Sequence, residues 1–111
     1  MVTSSLYELG RDPFSPNLNL APITAELDAQ GGLVVGGCRL TELAECYGTP
    51  LYVLDEVTLR VACKAYREAL QHHYPGPSIP IYASKANSSL MMSSLVASEG
   101  FGLDAVSAGE L

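Results

Sequence analysis

The sequence predicts an α/β fold assembled from βαβ units. Three observations carry that reading. From about residue 41 onward, short apolar runs alternate with stretches of helical periodicity. The linkers between them are only a few residues long, as parallel βαβ connections require. Glycine and proline punctuate the boundaries. Composition agrees: 48% of the 111 residues are hydrophobic and 16% are charged, which is too apolar for a disordered chain.

Residues 1–30 read as an irregular leader. Pro13, Pro16 and Pro22 interrupt them, and no apolar period persists. Residues 31–50 form an opening β segment and a short helix. Leu33 to Val35 is a strand between glycine pairs, and the spacing of those glycines does not match a GxGxxG nucleotide loop. Thr41 can cap a helix that carries Leu43, Ala44 and Tyr47 on one side and stops at Gly48.

Residues 51–111 hold the βα units. Leu51-Tyr52-Val53-Leu54 follows Pro50 and reads as a strand covered on both faces. Asp55 caps a helix over residues 56–73. Its apolar stripe is Leu59, Ala62, Cys63, Tyr66, Ala69 and Leu70, with Arg60, Lys64, Arg67 and Gln71 facing out. His72 and His73 suit the negative end of the helix dipole, and no further metal ligand is near. Pro75-Gly76-Pro77 breaks the chain before a strand over 79–84. Ser88 or Asn87 caps a helix over 89–99, which Gly100 and Gly102 end. Residues 103–106 are a further strand, and 107–111 open another helix.

Charge and cysteine usage exclude several classes. Twelve acidic against six basic residues give a net charge of −6. That balance argues against nucleic acid and anionic membrane surfaces as partners. No apolar run approaches the roughly 20 residues of a membrane span, and the first residues lack a signal-peptide pattern. Cys38, Cys46 and Cys63 are an odd set without a Cys-x-x-Cys pair. They read as reduced, mostly buried residues of a cytoplasmic protein, with no metal site.

Two residues stand out for chemistry. Lys85 is one of two lysines and lies at the C-terminal end of the strand over 79–84, the edge at which parallel α/β folds bind ligands. Strand alternation places Ile81, Ala83 and Lys85 on one face. A lysine leaving an apolar strand into a cleft can serve as a Schiff-base amine. Alternatively the strand has ended and Lys85 points to water. Asp104 lies within the next apolar strand. It is either buried and paired with Lys85, or wet at a sheet edge.

The run Tyr82-Ala83-x-Lys85-Ala86-Asn87 resembles the lysine signature of the fold-type III, pyridoxal-phosphate-dependent amino-acid decarboxylases. Gly102-Leu103-Asp104-Ala105-Val106-Ser107-Ala108-Gly109-Glu110-Leu111 resembles the next block of that family. Leu43 to Asp55 is similar to the opening segment of its diaminopimelate decarboxylases. Three blocks in order make the resemblance specific over residues 31–111.

The resemblance implies the N-terminal part of an alanine-racemase-like (β/α)8 barrel, incomplete at this length because such barrels need about 250 residues. It implies that Lys85 binds pyridoxal 5'-phosphate as a Schiff base, that Asp104 holds this lysine in place, and that Glu110 lies close to the cofactor. It implies decarboxylation of meso-diaminopimelate to L-lysine by a homodimer, with an amino acid as substrate. The family's glycine-rich phosphate cradle, its acidic partner for the pyridine nitrogen and its substrate loop are expected beyond residue 111, so these residues alone are expected to be inactive. Arginine, ornithine and carboxynorspermidine decarboxylases share the lysine signature and remain open. So does a non-catalytic remnant acting through protein contacts.

Overall fold

A computed structural model describes residues 4–5 and 20–110. It divides into two units, Met1–Leu59 and Arg60–Leu111.

The first unit holds a four-stranded antiparallel sheet in the order β1 (Ser4–Ser5), β2 (Glu26–Leu27), β3 (Leu33–Val35), β4 (Cys38–Arg39). Glu26 pairs with Val34, and Val35 with Cys38. Val35 and Cys38 flank a two-residue turn in which Gly36 and Gly37 both take positive φ (57° and 78°). That backbone matches the twist of a tight hairpin and explains the glycine pair. The expected strand at 33–35 is present as read. Helix α1 (Leu40–Tyr47) follows directly. Its N-cap is Arg39, which makes no side-chain cap bond, so Thr41 lies inside the helix and does not cap it. Gly48 ends it with φ 81°, its N–H donating to the Ala44 carbonyl. Ala25 and Val35 form a small core, with Ala21, Leu27 and Leu40 packed against it.

Asp28 and Asp55 organise the loops of this unit. Asp28 Oδ1 accepts the N–H groups of Gln30 and Gly32, and Oδ2 lies 2.7 Å from Arg39 Nη2. The Gly32 amide does most to hold its pKa below the usual carboxylate value; burial opposes this, and Gln30 and Arg39 add to it.

Asp55 is buried and caps helix α2 (Glu56–His73), as expected from sequence. Its Oδ2 accepts the Thr58 amide and hydroxyl. The Thr58 hydroxyl in turn accepts the Ile23 amide at 2.9 Å, and Thr24 Oγ1 accepts the Gly36 amide. Burial pushes the Asp55 carboxyl up, but bonds from the side chains of Thr58 and Thr24 and the amides of Thr58 and Val57 outweigh it, and the pKa is lowered. A lowered carboxyl pKa contributes stability above its unfolded value, and that stability is lost as pH falls through the folded value. Asp55→Ala is therefore expected to cost roughly 0.5–2 kcal/mol near neutral pH. The cost should shrink in acid, as read by urea unfolding of both proteins across the carboxylate range.

Residues 51–54 depart from expectation. They form no strand, and Leu51, Tyr52, Val53 and Leu54 are all exposed. An apolar run becomes a strand only when a neighbour satisfies its amides and carbonyls, and among the described residues none pairs with it.

In the second unit, strand β5 (Ile81–Ala83) and strand β6 (Gly102–Asp104) pair in parallel, with Ile81 opposite Gly102 and Ala83 opposite Asp104. Both are shorter than the predicted 79–84 and 103–106. Helix α3 (Leu90–Ser98) connects them, so the predicted βαβ unit is present. Ser89 caps α3 through its hydroxyl, accepting the Met92 amide at 3.3 Å. Gly100 ends it in a left-handed turn. The Phe101 N–H reaches the Val96 carbonyl and the Gly100 N–H reaches that of Ala97, the paired bonds of a Schellman stop. Met92, Leu95 and Val96 form the buried side of α3, which packs on β6. The predicted helix after 107 is a single 3-10 turn over Ala108–Glu110.

Helix α2 spans the predicted residues, but its covered side is rotated from the predicted stripe. Ala62, Tyr66 and Ala69 are exposed, whereas Arg60 and Arg67 are half-covered. Both arginines converge on Glu99. Arg60 Nη1 donates to Oε1 at 2.6 Å, and Arg67 Nη1 donates to the Glu99 carbonyl at 2.6 Å. Both heads also face the Glu99 carboxylate, Arg60 Nη1 at 2.6 Å and Arg67 Nη1 at 3.7 Å. A second correction concerns the cysteines. Cys38 and Cys46 are exposed and only Cys63 is buried, all three as free thiols. Cys38 sits on a two-residue strand, too short to cover it.

Candidate cofactor site

The end of β5 builds the site. The strand stops at Ala83, and Ser84–Ala86 turn into a 3-10 helix that carries Lys85. Lys85 is thus not the next member of the Ile81–Ala83 face that alternation predicts. The turn lifts it off the strand. Its side chain is exposed, and it makes no ion pair or hydrogen bond among the described residues. Lys64, the other lysine, lies on α2 with its Nζ 3.8 Å from Glu68 Oε1.

Hydrogen bonds from the motif's own residues hold the turn. The Tyr82 hydroxyl donates to the Asn87 carbonyl at 3.2 Å, closing the segment around Lys85. Asn87 Oδ1 accepts the Ser89 amide at 3.0 Å, which leads the chain into the cap of α3. Ser84 is 3% exposed, and its hydroxyl donates 2.7 Å to the Asp104 carbonyl at the end of β6. Sequence reading passed over Ser84. Its only signal was a hydroxyl at the end of an apolar strand.

The sheet register brings Asp104 opposite Ala83, so Asp104 and the Lys85 turn share the C-terminal edge of the β5–β6 pair. Of the two readings of Asp104, the wet one holds here. It is exposed, and no ion pair joins it to Lys85 among the described residues. Glu110 is placed differently. Its Oε2 accepts the amides of Val106 and of Ser107, the latter at 2.9 Å, so the carboxylate closes its own turn after β6. The Ser107-x-x-Glu110 spacing is that of a capping box, with the glutamate reaching back to the cap residue's amide.

Beside the turn lies a cavity of about 580 Å³, lined by Tyr66, Leu70, Ile79, Tyr82, Ala83 and Ala86 among others. None of its lining residues is charged. Among the described residues, no group of three or more His, Cys, Asp or Glu could hold a metal ion. No helix among them is long and apolar enough to cross a membrane.

Comparison with known proteins decides the family. The family model described as "Pyridoxal-dependent decarboxylase, pyridoxal binding domain" matches residues 57–111. A diaminopimelate decarboxylase of Synechocystis is 54% identical over 97% of this chain, covering 23% of that relative. Diaminopimelate decarboxylases of Methanothermobacter thermautotrophicus and Bacillus subtilis are 41% and 42% identical over 78% and 79% of the chain. The chain belongs to the pyridoxal-dependent decarboxylases. It spans about a fifth of the length of the curated relatives it matches. No solved structure gives a significant match.

Pyridoxal 5'-phosphate is the cofactor of this family's binding domain, and its aldehyde end fits what the site offers. A primary amine stands without a partner at the sheet edge where ligands gather in parallel α/β folds. The apolar cavity supplies no charged donor for a phosphate. The site thus offers an amine and its supporting turn, and the lining of that cavity offers no charged group to a phosphate.

Proposed function

We propose that the protein carrying this chain decarboxylates meso-diaminopimelate to L-lysine, using pyridoxal phosphate held at Lys85. The observation that supports this most is the unpartnered Lys85 amine on a turn fixed by Tyr82, Ser84 and Asn87, in a chain 54% identical to a diaminopimelate decarboxylase. Lys85 provides the nitrogen that carries the cofactor's aldehyde carbon. When bound, the cofactor supplies the electron sink that lets the bond to the α-carboxylate break. Asp104, at the end of the adjacent strand, lies near the bound cofactor and holds the lysine in place. Glu110 orders the turn after β6 and through it the edge at which the cofactor lies. We place these units, residues 51–111, at the start of a (β/α)8 barrel, after the leader 1–30 and the opening segment 31–50. We further read the protein as a cytoplasmic homodimer.

The reading is tested by carbon dioxide release from meso-diaminopimelate, with L-ornithine and L-arginine in parallel. Release from meso-diaminopimelate, with stoichiometric lysine, is expected. Release from ornithine or arginine alone would overturn the substrate assignment.

A further inference from the structure

We propose that Ser84 is a positioning residue for the cofactor-binding lysine, a role that rests on the assignment of Lys85 above. The last paired position of the parallel ladder is Ala83 with Asp104. One residue further, β5 has already turned into the 3-10 helix, and the strand pairing ends. There the Ser84 hydroxyl donates 2.7 Å to the Asp104 carbonyl. This bond ties the first residue of the lysine turn to the residue whose carboxylate ends the neighbouring strand. Lys85 follows Ser84 directly in sequence, so the bond fixes where both charged groups of the site start from.

Burial makes the link specific. Ser84 is 3% exposed, while Lys85 on one side and Asp104 on the other are exposed. A buried hydroxyl with one partner cannot trade that partner for bulk water without the strand ends separating. No other side chain among the described residues joins the turn to Asp104. The Tyr82 hydroxyl closes the turn on itself, donating to the Asn87 carbonyl. Serine at this position therefore sets the spacing between the amine and the carboxylate, and neither group does so by contact with the other.

The consequence is positional. Removing the Ser84 hydroxyl frees the Asp104 strand end from the lysine turn, and both charged groups lose their fixed starting point.

The test compares Ser84→Ala, Ser84→Thr and Lys85→Ala in the holoenzyme with the parent protein. Cofactor affinity, read from the visible absorbance at rising cofactor concentration, is the first readout. Ser84→Ala is expected to weaken cofactor binding about fivefold, the loss of one ordinary hydrogen bond. Ser84→Thr, which keeps the hydroxyl, should restore it. The second readout needs no cofactor: amide hydrogen exchange at residues 104–106 of the cofactor-free protein should quicken about fivefold in Ser84→Ala. Unchanged affinity together with unchanged exchange in Ser84→Ala would overturn the proposal. So would faster exchange with unchanged affinity, which marks a purely structural bond. Lys85→Ala separates the two claims. If it keeps the absorbance, the assignment of Lys85 fails, whatever Ser84 does.

Discussion

Replacing Lys85 with alanine is expected to abolish the visible absorbance of bound pyridoxal phosphate and to lower decarboxylation by several orders of magnitude. Two features set the size of this effect. The chain has only two lysines, and Lys64 stands on helix α2 beside Glu68. No second amine shares the turn at the C-terminal end of β5. Lys85→Arg should fail equally. A guanidinium keeps the charge but stays protonated at any working pH and offers no free amine to an aldehyde. Stability should hardly change in either variant, because Lys85 is exposed and makes no ion pair or hydrogen bond among the described residues. Absorbance spectra and urea unfolding on the same samples check both halves. Loss of absorbance through unfolding would appear in the second measurement.

The largest stability effect is expected at Leu95. It is 5% exposed and forms the buried side of α3 with Met92 and Val96, at positions i, i+3 and i+4 of the helix. Helix α3 is the crossover that joins β5 to β6 and packs on β6. Leu95→Ala removes buried carbons and leaves a cavity under that crossover, at a cost of about 2–5 kcal/mol. Leu95→Met keeps the volume and should cost less than about 1.5 kcal/mol. Urea unfolding gives both numbers. An alanine cost below about 1 kcal/mol would show that α3 does not hold the strand pair through this side chain.

Much of the framework was legible because it is local. The span of the 56–73 helix, the Asp55 cap and the Gly100 stop depend on residues close in sequence, and each is present as read. Glycines at 36 and 37 mark the turn that ends the 33–35 strand for the same reason. What depends on partners was read less well. Residues 51–54 carry a strand's composition, but composition does not supply a hydrogen-bonding neighbour. The α2 stripe was rotated because Arg60 and Arg67 look solvent-facing until Glu99, more than thirty residues later, is placed beside them.

The site divides along the same line. The Lys85 motif is contiguous, so it could be located from sequence, whereas the turn that lifts Lys85 off the strand could not. Whether Asp104 is buried or wet depends on what covers β6, which periodicity does not encode. The Ser84 bond needs the register of two strands twenty residues apart, and only the folded pair reveals it.

The central claim is that Lys85 is the covalent anchor of the cofactor. Borohydride reduction of the protein loaded with pyridoxal phosphate, followed by peptide mapping, tests it most directly. The expected result is a single stable adduct on the peptide containing Lys85. Adducts spread over Lys64 and the N-terminal amine, without preference for Lys85, would contradict it.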